Sequence, residues 1–161
     1  MQDTSKPVLI FTWGNPSRGD DALGTVIYDQ LQNEDLEGVD LLTDFQLQIE
    51  HAVDLENRER ILFVDASATA AAPFEFYRLQ PVRDDSYTTH AMSPQSLLAT
   101  YIKVKQQEPP PAFMLSVRGY DFGLGLPVSD EANNNLAEAA VFIRKLMSLD
   151  STGNWDILAG S

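Results

Sequence analysis

Three groups of polar residues in this sequence could bind a cation or move a proton. Asp20 and Asp21 follow an apolar run and a turn-rich loop, Asp65 comes directly after four apolar residues, and His90 lies in a polar stretch. An acid that closes an apolar strand is costly unless a charge, a metal or a hydrogen bond compensates it. Two carboxylates and one imidazole together can hold a divalent first-row transition metal. These residue types indicate a metal site, but they do not identify a reaction.

Each of these residues also has a structural explanation when it is taken alone. Asp65 could accept hydrogen bonds from a neighbouring turn, and Asp20 and Asp21 could be acids that stabilise the start of a helix. A single loop histidine such as His90 is most often solvated. Only their placement at one edge of a sheet favours the functional interpretation.

Several other chemistries are excluded or weakly supported. The chain has no cysteine, which excludes disulfides, thiolate zinc sites and a cysteine nucleophile. The loop at residues 14–19 has neither GxGxxG spacing nor a Walker lysine, so a phosphate cradle is not indicated. No G-x-S-x-G motif occurs. Ser93 is better explained as a helix cap, and His51 lies on a predicted helix, where a surface role is the default.

Length and charge describe a globular protein with an acidic surface. The chain has 161 residues, 43% of them hydrophobic, and a formal charge of −13 from 11 basic and 24 acidic residues. Such a surface repels nucleic acid and anionic membrane and suits a basic partner, although it could serve solubility alone. No apolar run reaches the length of a membrane span, and we expect no signal peptide, so a cytoplasmic location is predicted.

Short apolar runs alternate with longer helical patterns, which is typical of an α/β domain. Strands are predicted at residues 7–13, 39–44, 60–66, 74–79 and 112–117, and the short connection before residue 74 suggests an antiparallel hairpin. Helices are predicted from about Asp20, at 50–57 with Ala52, Val53 and Leu55, from Ser93, and from Ser129 with one apolar face ending at Leu146. We predict one domain over residues 1–150 and a frayed tail over 151–161.

The carboxyl ends of strands are where open α/β sheets collect functional groups. The first predicted strand leads into the loop before Asp20 and Asp21, and the third ends at Asp65. His90 precedes the helix that begins near Ser93. We therefore expect Asp21, Asp65 and His90 to lie in one pocket.

Five blocks of the sequence, in order, resemble the nickel-iron hydrogenase maturation proteases. They are GNPSRGDDALG at 14–24, FQLQIEHA at 45–52, VDA at 64–66, THAMSPQSLL at 89–98 and RGYDFGLGLPVSDEA at 118–132. Each block alone is weak, but five at proper separations are specific. The first two blocks are most similar to proteases that serve the bidirectional, NAD-reducing hydrogenases.

The resemblance implies a twisted, mostly parallel sheet flanked by helices and an endopeptidase activity. Family members remove a short C-terminal peptide from the hydrogenase large subunit after nickel has been inserted. The metal-contacting positions of the family fall on Asp21, Asp65 and His90. The implied enzyme holds no permanent metal and contacts the nickel of its substrate transiently. The expected partner is the nickel-loaded large-subunit precursor, and the protein is expected to be a monomer.

Two other functions remain open at this stage. The same three side chains could hold a resident ion in a small metallohydrolase. Alternatively, the protein could be a nickel-dependent checkpoint or chaperone that binds the partner without cutting it. Arg18, next to the acids, could orient the substrate or be a solvated loop residue.

Overall fold

The protein is an α/β domain built on a five-stranded sheet, as the sequence predicts. A computed structural model describes residues 4–83 and 92–160. Within these residues the strands are β1 Val8–Trp13, β2 Val39–Asp44, β3 Arg60–Ser67, β4 Phe74–Arg78 and β5 Ala112–Arg118. They lie in the order β2-β1-β3-β5-β4, with β4 antiparallel to β5 and the other neighbours parallel.

The prediction that β4 forms a hairpin with the strand before it is wrong in its pairing. β4 is antiparallel, but its partner is β5, which lies between β3 and β4. Strands two positions apart are separated by about 10 Å. A link of six residues can reach up to about 20 Å, so a short connection does not require adjacent strands. Phe74 and Phe76 of β4 contribute to an aromatic core instead, where Phe76 stacks on Phe113 at 5.5 Å between ring centroids.

Helices cover both faces of the sheet. Among the described residues they are α1 Leu23–Gln32, α2 Pro94–Lys105, α3 Asp130–Met147 and α4 Thr152–Leu158, with 3-10 helices at Gly19–Ala22 and Ile49–Leu55. Buried residues of α1, α3 and α4 pack in one core with alternate residues of the strands. Buried residues of α2 and of the 3-10 helix Ile49–Leu55 pack in a second core on the opposite face.

The predicted starts of two helices are confirmed by their caps. The Ser93 hydroxyl accepts a hydrogen bond from the Ser96 amide at 3.0 Å, and the Ser129 hydroxyl accepts one from the Ala132 amide at 3.2 Å. These bonds satisfy amide groups that a helix start leaves without a partner. The apolar face predicted for the Ser129 helix is buried through Leu146.

The segment predicted as a helix at 50–57 is a 3-10 helix at Ile49–Leu55. A 3-10 helix has three residues per turn, so Ala52 and Leu55 share the buried face while Val53 points away. Val53 is accordingly 64% exposed, so of the three apolar residues on the predicted helix only Ala52 and Leu55 are buried. The helix predicted from Asp20 likewise begins as the 3-10 turn Gly19–Ala22 before α1 starts at Leu23.

The prediction of a frayed tail is wrong for residues 152–158, which form α4. Ser151 caps this helix, and Trp155 is fully buried against Phe113, with ring centroids 5.3 Å apart. The Trp155 indole N–H donates to the Leu146 carbonyl at 3.1 Å. A helix of seven residues in which only Trp155 is buried shows no apolar period, so the sequence pattern did not reveal it.

Across the part of the chain that the structure describes, none of the helices is both long and apolar enough to cross a lipid bilayer.

Candidate active site

The candidate site lies where β1 and β3 end, at the carboxyl edge of the sheet. β1 and β3 are adjacent and parallel, with Thr12 opposite Val64, so Asp65 extends just beyond the paired residues. Asp65 stands opposite Ser116 of β5 on its other side. The chain leaves β1 for a helix on one face of the sheet, whereas the chain after β2 covers the other face. Such a reversal is where open α/β sheets bind ligands.

Asp21 reaches this edge because the loop after β1 folds back on itself. The Asp21 carboxylate accepts a hydrogen bond from the Asn15 amide at 2.8 Å, and its own amide donates to the Arg18 carbonyl at 3.0 Å. Gly14 has φ of +146°, and a Cβ there would lie only 2.0 Å from the Asp21 carbonyl oxygen. A glycine is therefore required for the close approach that places Asp21.

Asp65 is partly buried, and its environment disfavours the ionised carboxylate. Burial and, to a smaller extent, the charge of Asp21 raise the pKa of Asp65 to about 8, although the Ala66 amide, which donates to this carboxylate at 2.8 Å, opposes the increase. A hydrogen bond from the Trp13 side chain also opposes the increase in pKa. The effect of the Asp21 charge on the pKa of Asp65 places the two predicted carboxylates within electrostatic range of each other. Asp65 is protonated near neutral pH in the free protein.

Asp20 has a different role from its neighbour. It is fully buried, and its carboxylate accepts four hydrogen bonds, from the Tyr120, Asp121 and Ser129 amides and from the Ser129 hydroxyl. Burial alone would raise its pKa, but the hydrogen bonds from Asp121, Ser129 and Tyr120 outweigh burial and lower the pKa. The two adjacent acids thus have different surroundings, since Asp20 is hydrogen-bonded within the fold while Asp21 faces Asp65.

The third predicted site residue, His90, lies outside the described residues, so its convergence on Asp21 and Asp65 stays a prediction. Within residues 4–83 and 92–160, no group of three His, Asp or Glu side chains is arranged to hold a metal. Two other candidates from the sequence, Arg18 and Ser93, have simple structural descriptions. Arg18 is exposed, and Ser93 is a helix cap whose hydroxyl also donates to the Ser96 hydroxyl at 2.9 Å.

His51 is buried, which corrects its predicted surface role. Its Nδ1 accepts from the Gln48 amide at 2.8 Å, and its Nε2 lies 3.1 Å from an Asp44 carboxylate oxygen. The ring meets Phe11 edge-on at 4.7 Å. Because Nδ1 accepts, a neutral ring carries its proton on Nε2 and donates it to Asp44. Asp44, an acid at the end of β2, was the sequence feature that could have indicated a partner for His51. The predicted helix over residues 50–57 placed His51 at the surface, so this pair was not predicted.

Comparison with known proteins identifies the fold. No protein-family model matches the sequence, and no curated protein matches it in sequence. Solved structures do match. HybD, the hydrogenase maturating endopeptidase of E. coli, superimposes with a TM-score of 0.68 at 18% identity, over 88% of this chain and 91% of HybD. The [NiFe] hydrogenase maturation protease HycI of Thermococcus kodakarensis KOD1 gives 0.67 at 18% identity, over 91% and 96%.

A third match is the hydrogenase 2 maturation peptidase of Thaumarchaeota archaeon SCGC_AB-539-E09, with a TM-score of 0.64 at 22% identity over 90% of this chain and all of that one. The matches span nearly the whole of each protein. This chain therefore has the fold of the hydrogenase maturation proteases, as its sequence blocks predicted. Identities of this size establish the fold, and the activity must be argued from the site.

Proposed function

We propose that this protein is an endopeptidase that removes the C-terminal extension of a nickel-iron hydrogenase large subunit after nickel insertion. The observation that carries the proposal is the placement of Asp21 and Asp65 at the carboxyl edge of the sheet, where the charge of Asp21 disfavours ionisation of Asp65. Two carboxylates held this close form a site for a cation. The fold supports the reaction, since the solved proteins that share it are described as hydrogenase maturation proteases.

The protonation state of Asp65 fits a site that waits for a cation on its substrate. With a pKa of about 8, Asp65 keeps its proton near neutral pH until a positive charge arrives. A cation that contacts Asp65 displaces this proton, because a coordinating carboxylate must be ionised. Nickel already seated in the partner would supply that charge. A partner without nickel would leave Asp65 neutral and would be spared.

In this proposal Asp21, Asp65 and His90 contact the substrate's nickel together. Carboxylate and imidazole are suitable ligands for nickel, and the sequence has no cysteine that could offer a thiolate instead. Nickel held in this way can polarise the scissile carbonyl as a Lewis acid. The enzyme needs no resident cofactor for this step.

The remaining features of the proposal concern the partner and its location. The charge of −13 favours a partner with a basic surface. The sequence blocks at 14–24 and 45–52 favour a large subunit of the bidirectional, NAD-reducing type. We place the reaction in the cytoplasm and expect the enzyme to act as a monomer.

The test is incubation of the purified protein with nickel-loaded and nickel-free large-subunit precursor, followed by intact mass measurement. The nickel-loaded precursor should lose its C-terminal peptide, and the nickel-free precursor should keep its mass. Asp65→Ala and His90→Ala should leave the loaded precursor uncut. Asp130→Ala, which removes an exposed acid, is the matched control and should process normally.

Other outcomes would point to the other functions. A stable complex with an unchanged partner mass would indicate a nickel checkpoint or chaperone. Tightly bound stoichiometric metal in protein purified without added metal would indicate a self-sufficient metallohydrolase. Normal processing by both Asp65→Ala and His90→Ala would remove the assignment of these residues.

A further inference from the structure

Two loops meet at the carboxyl edge of the sheet, and they are joined by an unusually dense set of hydrogen bonds. The loop at 14–22 carries Asp21, and the loop at 119–129 follows β5. Backbone bonds connect them from Gly19 to Leu126 at 3.1 Å, from Asp20 to Asp121 at 2.6 Å and from Gly125 to Ser17 at 2.8 Å. The two loops therefore form one unit beside the candidate site.

The Asp20 side chain is the centre of this unit. One carboxylate oxygen accepts from the Tyr120 amide at 2.6 Å, the Asp121 amide at 2.9 Å and the Ser129 hydroxyl at 2.8 Å. The other accepts from the Ser129 amide at 2.7 Å. The carboxylate thus accepts four hydrogen bonds from within the fold, and the side chain has no exposed surface. Asp20 is consequently not available to contact a substrate or a metal.

The packing around Asp20 allows almost no other position for it. A Cβ at Gly119 would lie 2.9 Å from the Asp20 Cβ, so the second loop passes directly against the side chain. Asp20 and Asp21 are adjacent in the 3-10 turn Gly19–Ala22, and adjacent Cα atoms are separated by about 3.8 Å. Any movement of Asp20 is transmitted to Asp21.

We propose that Asp20 is a positioning residue that fixes the Asp21 carboxylate opposite Asp65 by anchoring the loop at 14–22 to the loop at 119–129. Its charge is essential for this role, because an ionised carboxylate offers acceptors to all four donors, whereas an amide would direct its own N–H groups at some of them. The effect on processing rests on the proposed function, but the effect on the position of Asp21 does not.

The Asn15 amide proton is a direct reporter of this position, because it donates to the Asp21 carboxylate at 2.8 Å. In Asp20→Asn we expect the Asn15 amide resonance to move upfield as this bond is lost. Asp121→Asn makes the same charge change at an exposed side chain of the second loop and should leave the resonance in place. If Asp20→Asn does not fold, Ser129→Ala removes one of the four donors and should move the resonance in the same direction.

The companion measurement is the rate of processing of the nickel-loaded precursor. A displacement of about 1 Å at a reacting group can reduce a rate about 100-fold. The processing rate of Asp20→Asn should therefore be about 100-fold lower than that of the wild type, while Asp121→Asn remains active. An unchanged Asn15 resonance in the folded Asp20→Asn or Ser129→Ala protein would overturn the positioning role. A shifted resonance in a protein whose wild type cuts no precursor would support positioning and refute the proposed function.

Discussion

Replacement of Asp65 by asparagine should have opposite effects on stability and on activity. The pKa of Asp65 is about 8 in the folded protein, because of burial and the charge of Asp21, and about 3.9 in an unfolded chain. The folded state thus binds one more proton than the unfolded state between these values. The stability contributed by the protonated group is fully present below about pH 4 and is lost as pH rises through about 8.

The magnitude follows from the pH window. Linkage gives a slope of about 1.4 kcal/mol per pH unit, so the free energy of unfolding of the wild type should fall by at most about 4 kcal/mol between pH 5 and 8. Asp65→Asn has no proton to lose and should not show this contribution. The variant should therefore approach or exceed the wild-type stability at alkaline pH, although it should not process the precursor.

The assay is urea denaturation followed by circular dichroism at intervals from about pH 5 to 9. Asp29→Asn, which changes an exposed acid on α1, is the control and should follow the pH dependence of the wild type. Parallel stability curves for wild type and Asp65→Asn would refute the argument. They would mean that Asp65 titrates as an ordinary solvated acid and that the fold does not hold it beside Asp21.

Three further substitutions test other parts of the structure, and two of them have a matched control. Gly14→Ala would place a Cβ 2.0 Å from the Asp21 carbonyl oxygen, so it should destabilise the protein by about 1–3 kcal/mol and abolish processing. A Cβ at Gly153 meets open space, so the control Gly153→Ala should be neutral or stabilising. Thermal denaturation measures both. Trp155→Ala should cost about 3–5 kcal/mol in chemical denaturation, whereas Ile157→Ala, at a side chain 71% exposed, should cost little. His51→Ala should lower the free energy of unfolding by about 1 kcal/mol, because the buried ring loses its hydrogen bonds to the Gln48 amide and to the half-exposed Asp44 carboxylate. An unchanged value in chemical denaturation would argue against these bonds.

The strands were predictable from sequence because buried parallel strands are short, continuous apolar runs. Residues 7–13 and 60–66 illustrate this, since the observed strands agree with the predicted ones to within a residue. The neighbour of β4 was not predictable, because the length of a link limits its reach but does not select a partner. The helix α4 was missed because Trp155 is its one buried residue, and one buried residue produces no period.

The sequence was sufficient to predict the edge of the sheet at which the site lies and two of its carboxylates, Asp21 and Asp65. Asp65 was identified by its place at the end of an apolar strand, and its proximity to Asp21 follows from the sheet order. The sequence spacing could not show that Asp20 is hydrogen-bonded within the fold while Asp21 faces Asp65, because adjacent residues in a tight turn point in different directions. The groups that donate hydrogen bonds to Asp20 lie about one hundred residues further along the sequence. The part played by His90 stays a prediction.

The indole of Trp13 makes the site observable without any cleavage. The chain has two tryptophans, and Trp13 hydrogen-bonds to Asp65 while Trp155 lies in the core on the opposite face of the sheet. A Trp155→Phe protein would therefore emit from one fluorophore that touches the proposed nickel-contacting carboxylate. Nickel brought to Asp65 by a docking partner would quench that emission, so encounter could be timed separately from peptide release.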